Sequence, residues 1–355
     1  MKNLLILGAG TAGTMMANHL SHKMNKKEWK ITIVDQYKTH YYQPGFLFLP
    51  FDTYTEDQVR KDKKKFIPKG VNYIQKKIEK INHADNNVVL EDETLNYDIL
   101  IVATGAKIAP EQVEGMKGPN WHKNVFDFYT FEGSVALRNF LRSFKGGKMV
   151  VHFTEMPIKC PVAPLEFVFL ADSYFRKKGI REKVDLTYVT PLGGAFTKPK
   201  ATAALSYLLK EKNIKVVTDF AIESVDNDNN QILDYEGREV PYDVLVTVPT
   251  NMGDDLIKRS GMGDDLNFIP TNHFTLQSEI AKNIFVIGDA TNVPASKAGS
   301  VAHFQAETLT DNILLYIDGK PLKEEFDGHA NCFIETGNGK GLLIDFNYVQ
   351  EPVEG

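Results

Sequence analysis

The sequence predicts an α/β fold made of two Rossmann-like units of the dinucleotide-binding type, the second inserted in the first, with a short C-terminal segment behind them. Three observations carry that reading. Gly8-Ala9-Gly10-Thr11-Ala12-Gly13 follows the apolar run Leu4 to Leu7 and opens a helical pattern. Two βα segments close on strands that look alike, Tyr97-Asp-Ile-Leu-Ile-Val102 and Tyr242-Asp-Val-Leu-Val-Thr247, which points to a duplicated architecture. A further apolar strand, Asn283 to Asp289, comes after the second unit and is assigned back to the first. The expected domains are 1–110 with 275–325, then 111–274, then a C-terminal segment 326–355.

In chain order, the first unit reads as strand Leu4 to Leu7, glycine turn, helix Ala12 to Met24, strand Ile31 to Val34 ending at Asp35, and the closing strand that leads to Gly105. The second reads as strand Lys148 to His152, helix Pro164 to Lys178, strands Val184 to Val189 and Ile214 to Val217, and the closing strand to Pro249. Asp226 to Asn230 is expected at a hairpin tip, and Lys61 to Lys65 on a solvated face. The tail after Phe326 is too polar and glycine-rich for ordinary core.

Bulk properties narrow the function. At 355 residues the chain has room for about two domains, each with its own core. A net charge of -5 gives no basic face for nucleic acid. Two cysteines, Cys160 and Cys332, are too few for a disulfide-stapled scaffold, so they are inert core thiols or chemistry. No secretory leader and no membrane-spanning run is read, so the expected location is the cytoplasm or the periphery of a membrane. No metal site is expected.

The glycine turn is the cofactor site. Its glycines allow a tight turn and close approach of a pyrophosphate, whose charge the helix N-terminus favours. Asp35 ends the next strand, about 20 residues beyond the glycines, where an acid accepts hydrogen bonds from a ribose hydroxyl, and Gln36 follows it. The alternative is a structural turn with a surface acid. Ala103-Thr104-Gly105 and Gly288-Asp289 resemble the two further FAD-contact motifs of two-dinucleotide-domain flavoproteins, which makes FAD the expected cofactor.

The corresponding loop of the second unit differs. His152-Phe-Thr-Glu-Met-Pro-Ile-Lys-Cys160-Pro-Val-Ala-Pro-Leu-Glu166 contains no glycine and cannot cradle a second pyrophosphate, so NAD(P)H is not expected as electron donor. Cys160 stands there instead, near a helix start whose amides and dipole favour a thiolate.

Lys159-Cys-Pro-Val-Ala-Pro-Leu-Glu166, Lys297-Ala-Gly-Ser-Val-Ala-His303 and Asn331-Cys-Phe-Ile-Glu-Thr-Gly337 resemble segments of the sulfide:quinone oxidoreductases, of glutathione-reductase-like fold. The resemblance implies that Cys160 and Cys332 form a redox pair beside FAD, resting as a disulfide or polysulfide bridge. Hydrosulfide is then the substrate, polysulfide the product and a membrane quinone the acceptor. It further implies Lys297 near the flavin's pyrimidine edge and Glu166 as a proton relay; the plainer readings are a solvated loop cation and a first-turn acid. Many members carry a third cysteine between the two units, and between Gly105 and Lys148 this sequence has none. The family also continues past Tyr348 into amphipathic helices that rest on the bilayer; here Phe46 to Phe51 is the apolar run that a membrane surface would meet, unless it is core. A homo-oligomer is left open. Competing readings are a flavocytochrome-type sulfide dehydrogenase subunit, a type II NADH:quinone dehydrogenase and a non-enzymatic flavin and thiol sensor.

Overall fold

The computed structural model describes residues 1–350, so the end of the expected segment 326–355 lies outside the described residues. The main elements are β1 (Lys2–Leu7), α1 (Thr11–Lys23), β2 (Trp29–Val34), β3 (Asn72–Ile74), β4 (Ile99–Val102), β5 (Val125–Phe126), α2 (Phe131–Ser143), β6 (Gly147–Phe153), α3 (Ala163–Lys177), β7 (Val184–Val189), α4 (Pro199–Glu211), β8 (Lys215–Val217), β9 (Val244–Val248), β10 (Ile284–Val286), α5 (Gly299–Ile317), β11 (Ala330–Gly337) and β12 (Lys340–Phe346).

Two five-stranded parallel sheets organise the chain. The first runs β10-β4-β1-β2-β3 and the second β5-β9-β6-β7-β8. Their strands are buried on both faces, which is why they read as continuous apolar runs and not as alternation. Leu4, Ile6 and Leu7 of β1 and Val244, Leu245 and Val246 of β9 are all fully buried. Each such side chain stabilises the fold by roughly 1.5–3 kcal/mol.

The duplication goes further than the two closing strands. Each sheet reaches its closing strand through a three-stranded antiparallel meander, 78–96 in the first and 222–241 in the second. The turn 226–230 is the hairpin tip the sequence predicts, with Asn230 at φ +52°.

Helix α1 buries Gly13, Met16, Ala17 and Leu20, a single stripe at helical spacing, against α5. Helix α3 is different. Leu165, Phe167, Val168, Phe169, Ala171 and Phe175 cover nearly its whole circumference, and it lies between the second sheet and the β11–β12 hairpin. That sandwich carries Cys332 to the start of α3.

Two sequence expectations are corrected. The tail after Phe326 is not separate from the core: Ala330 and Ile334 are fully buried, because pairing β11 to β12 satisfies the polar backbone and frees one strand face for packing. Lys63 is not solvated either; it is 6% exposed and its Nζ lies 2.5 Å from Asp35 Oδ2. A lysine stretch read as one face contains a residue that a short 3-10 turn at 63–66 directs inward. Of the Phe46 to Phe51 run, Phe46, Leu47 and Leu49 are core, the plainer of its two readings. Among the described residues no helix is long and apolar enough to cross a membrane.

Candidate active site

The glycine turn joins β1 to α1, and steric demand fixes two of its glycines. Gly8 has φ +96° and a Cβ there would lie 2.4 Å from the Ala103 carbonyl oxygen; one on Gly13 would lie 1.9 Å from that of Gly8. Around Gly10, by contrast, 4 Å is clear, and α1 has no side-chain cap. First-turn amides with open space before them make an anion cradle. Asp35 closes it, with Oδ2 accepting from the Ala9 amide at 2.8 Å and Oδ1 from the Tyr37 amide at 2.8 Å. Thr104 Oγ1 is buried without a partner in the same region, and Gly288 packs on Ala12. Gln36 is exposed beside Asp35. An uncapped helix end, an ordered acid and an orphaned hydroxyl fit a dinucleotide.

The second unit offers no such cradle. The loop from β6 to α3 folds as a tight plug: the Lys159 amide donates to Asn251 Oδ1 at 3.0 Å, and the Cys160 amide to the Lys297 carbonyl at 2.7 Å. Tyr129 donates its hydroxyl to the Lys159 carbonyl at 2.5 Å and lies 3.2 Å from that of Cys160. These contacts hold Cys160 at φ +46°, a left-handed conformation that costs a side-chain-bearing residue of order 1–3 kcal/mol. Where Asp35 follows β2, the equivalent position after β7 is Thr190, fully buried, its Oγ1 accepting the Leu192 amide.

Cys160 and Cys332 meet at the start of α3, brought together from a loop and from the outermost hairpin. Their side chains share a hydrogen bond. That hydrogen bond raises the Cys160 thiol above the ordinary range, as does its burial, and lowers Cys332. The Ala163 amide at the helix start favours a Cys160 thiolate, and the hydrogen bond with Cys332, burial and the nearby Glu166 oppose it.

Glu166, 5% exposed, sits in the first turn of α3 with Oε2 3.9 Å from Cys160 Sγ and Oε1 accepting the Glu335 amide at 3.1 Å. Burial pushes its carboxyl up to about 7, more than that amide lowers it. Lys297 is 6% exposed rather than a solvated cation. Its Nζ donates to the carbonyls of Asp289 at 3.0 Å and Thr291 at 2.8 Å and lies 3.7 Å from the Phe268 ring centroid. Burial lowers it to about 8, against the opposing field of Asp289.

The four residues singled out for chemistry thus gather around one junction between the two sheets. Beside it lies a cavity of about 470 Å³ bordered by Lys297 and lined by Met156, Ile158, Phe196, Leu266 and Phe346. Lys63, Tyr129, Asn251 and Glu335 were not legible as site residues. Each acts through tertiary contacts, and Asp127-Phe-Tyr-Thr130 carries only the signal of a helix cap.

Residues 2–139 match the family described as pyridine nucleotide-disulphide oxidoreductase. Across 97% of this chain and 77% of the relative, the sequence is 29% identical to a mitochondrial sulfide:quinone oxidoreductase of Dictyostelium discoideum. It is 28% identical to the mouse protein of the same name, over 99% of this chain and 79% of that one. The solved sulfide:quinone oxidoreductase of Aquifex aeolicus superposes with a TM-score of 0.85 at 21% identity, covering 100% of this chain and 87% of that one, which shows a shared fold.

Proposed function

We infer that this chain is a sulfide:quinone oxidoreductase, an FAD-dependent enzyme that oxidises hydrosulfide at the Cys160 and Cys332 pair and delivers the electrons to a quinone. One observation carries the reading: two cysteines far apart in sequence meet beside a buried carboxyl, in the place where an NADH-using relative would hold a pyrophosphate.

The residues divide the work as follows. Hydrosulfide attacks the bridged pair, one sulfur–sulfur bond breaks as another forms, and an electron pair departs on the leaving thiolate. The persulfide forms on Cys160, the sulfur that lies 3.9 Å from Glu166, and Cys332 leaves as the thiolate. Glu166 takes the proton and returns it to solvent. When bound, FAD accepts the electron pair from sulfur and supplies it to the quinone. Gly8, Gly10, Thr11, Ala12, Gly13 and Asp35 would hold its pyrophosphate and ribose. Ala103 to Gly105, Gly288, Asp289 and Lys297 would line the rest, with Lys297 as the buried cation.

The cavity beside Lys297 is the proposed seat of the quinone ring; its size suits a single-ring ligand. Phe333, 77% exposed, faces Leu343 across the hairpin, and this pair is the proposed contact with a membrane surface. The FAD unit is taken as 1–110 with 275–325, and the unit that lacks a phosphate loop as 111–274.

The test is anaerobic flavin absorbance. Bleaching by sulfide and not by NADH, reversed by a soluble quinone, is the expected result. Bleaching by NADH, or indifference to sulfide, sinks the reading, and bleaching without reoxidation by quinone favours a haem partner or a sensor.

A further inference from the structure

A cysteine whose bond to its partner opens in each turnover must find that partner again, and while the bond is open the backbone that carries it keeps its shape through other contacts alone. At Cys160 that shape is unusual. Its φ is +46°, in the left-handed region that side-chain-bearing residues seldom adopt. A residue of helical twist, of either hand, points the carbonyls before and after it to the same side, whereas extended backbone points them apart. One group spans the two carbonyls here: the Tyr129 hydroxyl donates to that of Lys159 at 2.5 Å and lies 3.2 Å from that of Cys160.

Tyr129 cannot drift with the turn. Asp127, fully buried, accepts the Tyr129 amide at 2.9 Å and the Thr130 amide at 2.7 Å, and Phe128 stacks on Phe167 of α3 with ring centroids 4.8 Å apart. Two other contacts reach the turn through its amides, Asn251 on that of Lys159 and the Lys297 carbonyl on that of Cys160. Tyr129 is the contact that holds the carbonyls, and removing one oxygen atom abolishes it.

We propose that Tyr129 is a positioning residue: its hydroxyl keeps the Cys160 turn in the left-handed form while the bond to Cys332 is open, so that the two sulfurs can close again; the proposal rests on the sulfide-oxidising reading above. Without the hydroxyl, the open form relaxes toward ordinary backbone and gains stability that the closed form, still tied through its sulfur, cannot. Closing forms one sulfur–sulfur bond and releases two protons and two electrons, and opening takes the same number back. Tyr129 carries neither.

The experiment equilibrates the FAD-loaded protein in mixtures of reduced and oxidised dithiothreitol, blocks free thiols by alkylation and reads the bridged fraction by mass; the dithiothreitol pair takes up and returns the electrons. In Tyr129→Phe the equilibrium constant for closing is expected about tenfold below wild type, a rise of about 30 mV in midpoint. A hydrogen bond that only stabilised the fold would weaken open and closed forms alike, so equal midpoints in Tyr129→Phe and wild type overturn the proposal. Asn251→Ala frees the Lys159 amide of the same turn and is expected to raise the midpoint too. Should Tyr129→Phe not retain FAD, an unmoved midpoint in Asn251→Ala overturns the proposal in its place. A wild type whose cysteines stay open in every mixture sinks the functional reading and the proposal with it, whereas bridging in wild type with equal midpoints sinks the proposal alone.

Discussion

The amide of Cys160 donates to the carbonyl of Lys297 at 2.7 Å, tying the sulfur-bearing turn of the second unit to the lysine loop of the first. One hydrogen bond thus links the two elements that a sulfur-to-flavin reaction has to hold in register. Lys297 in turn fixes its own loop through Asp289 and Thr291, so displacement at either end is felt at the other.

Substituting serine for either cysteine removes one half of the exchange. Cys160→Ser and Cys332→Ser are expected to retain FAD and the fold, since each changes one partly buried sulfur to oxygen, but to lose bleaching by sulfide. Stopped-flow absorbance checks this, and a serine variant that bleaches at the wild-type rate would remove that cysteine from the mechanism.

Turnover should depend on the ionisation of Glu166. Burial raises its carboxyl from 4.5 to about 7, so it is neutral below that pH and ionised above it. A base must be ionised to accept a proton, and sulfide oxidation therefore falls as pH drops through about 7. Glu166→Gln is expected to lose that limb and at least about a hundredfold in kcat. The pH-rate profiles of the two proteins decide it.

Lys63→Met leaves the buried Asp35 carboxylate without its cation. Breaking a buried pair by removing one partner costs about 3–5 kcal/mol, so a lower melting temperature and weaker FAD retention follow. Adding Asp35→Asn should restore part of the melting temperature, because no uncompensated charge remains. Melting curves with fluorescence of released FAD give the answer, and unaltered curves in Lys63→Met would show the pair to be inert.

Lys297→Met removes two hydrogen bonds from buried carbonyls and a positive charge from the junction. Leaving each carbonyl unpaired costs about 1–3 kcal/mol. Burial lowers the amine to about 8, so it is charged below that pH and neutral above it. The flavin midpoint potential is expected to fall in the variant at neutral pH, and wild type to approach the variant's value as pH rises through about 8. Spectroelectrochemical titration at both pH values tests this; equal potentials at neutral pH would deny Lys297 any electronic role.

What the sequence determined by itself was whatever depends on local order. Gly8, Gly10 and Gly13 after an apolar strand, with Asp35 at the end of the next, define a cradle because turn, helix end and acid are fixed within one βα unit. The missing glycines between His152 and Glu166 were equally legible, as a bulky loop excludes a second cradle whatever surrounds it. The tertiary structure decided the rest. It turned Lys63 inward, set Tyr129 and Asn251 against the Cys160 turn, and brought Cys332 to Cys160. Those outcomes depend on which distant groups share a buried volume, where desolvation and a single neighbouring charge outweigh local propensity. The sandwich of α3 between a sheet and a hairpin creates that volume, and no stretch of sequence contains it.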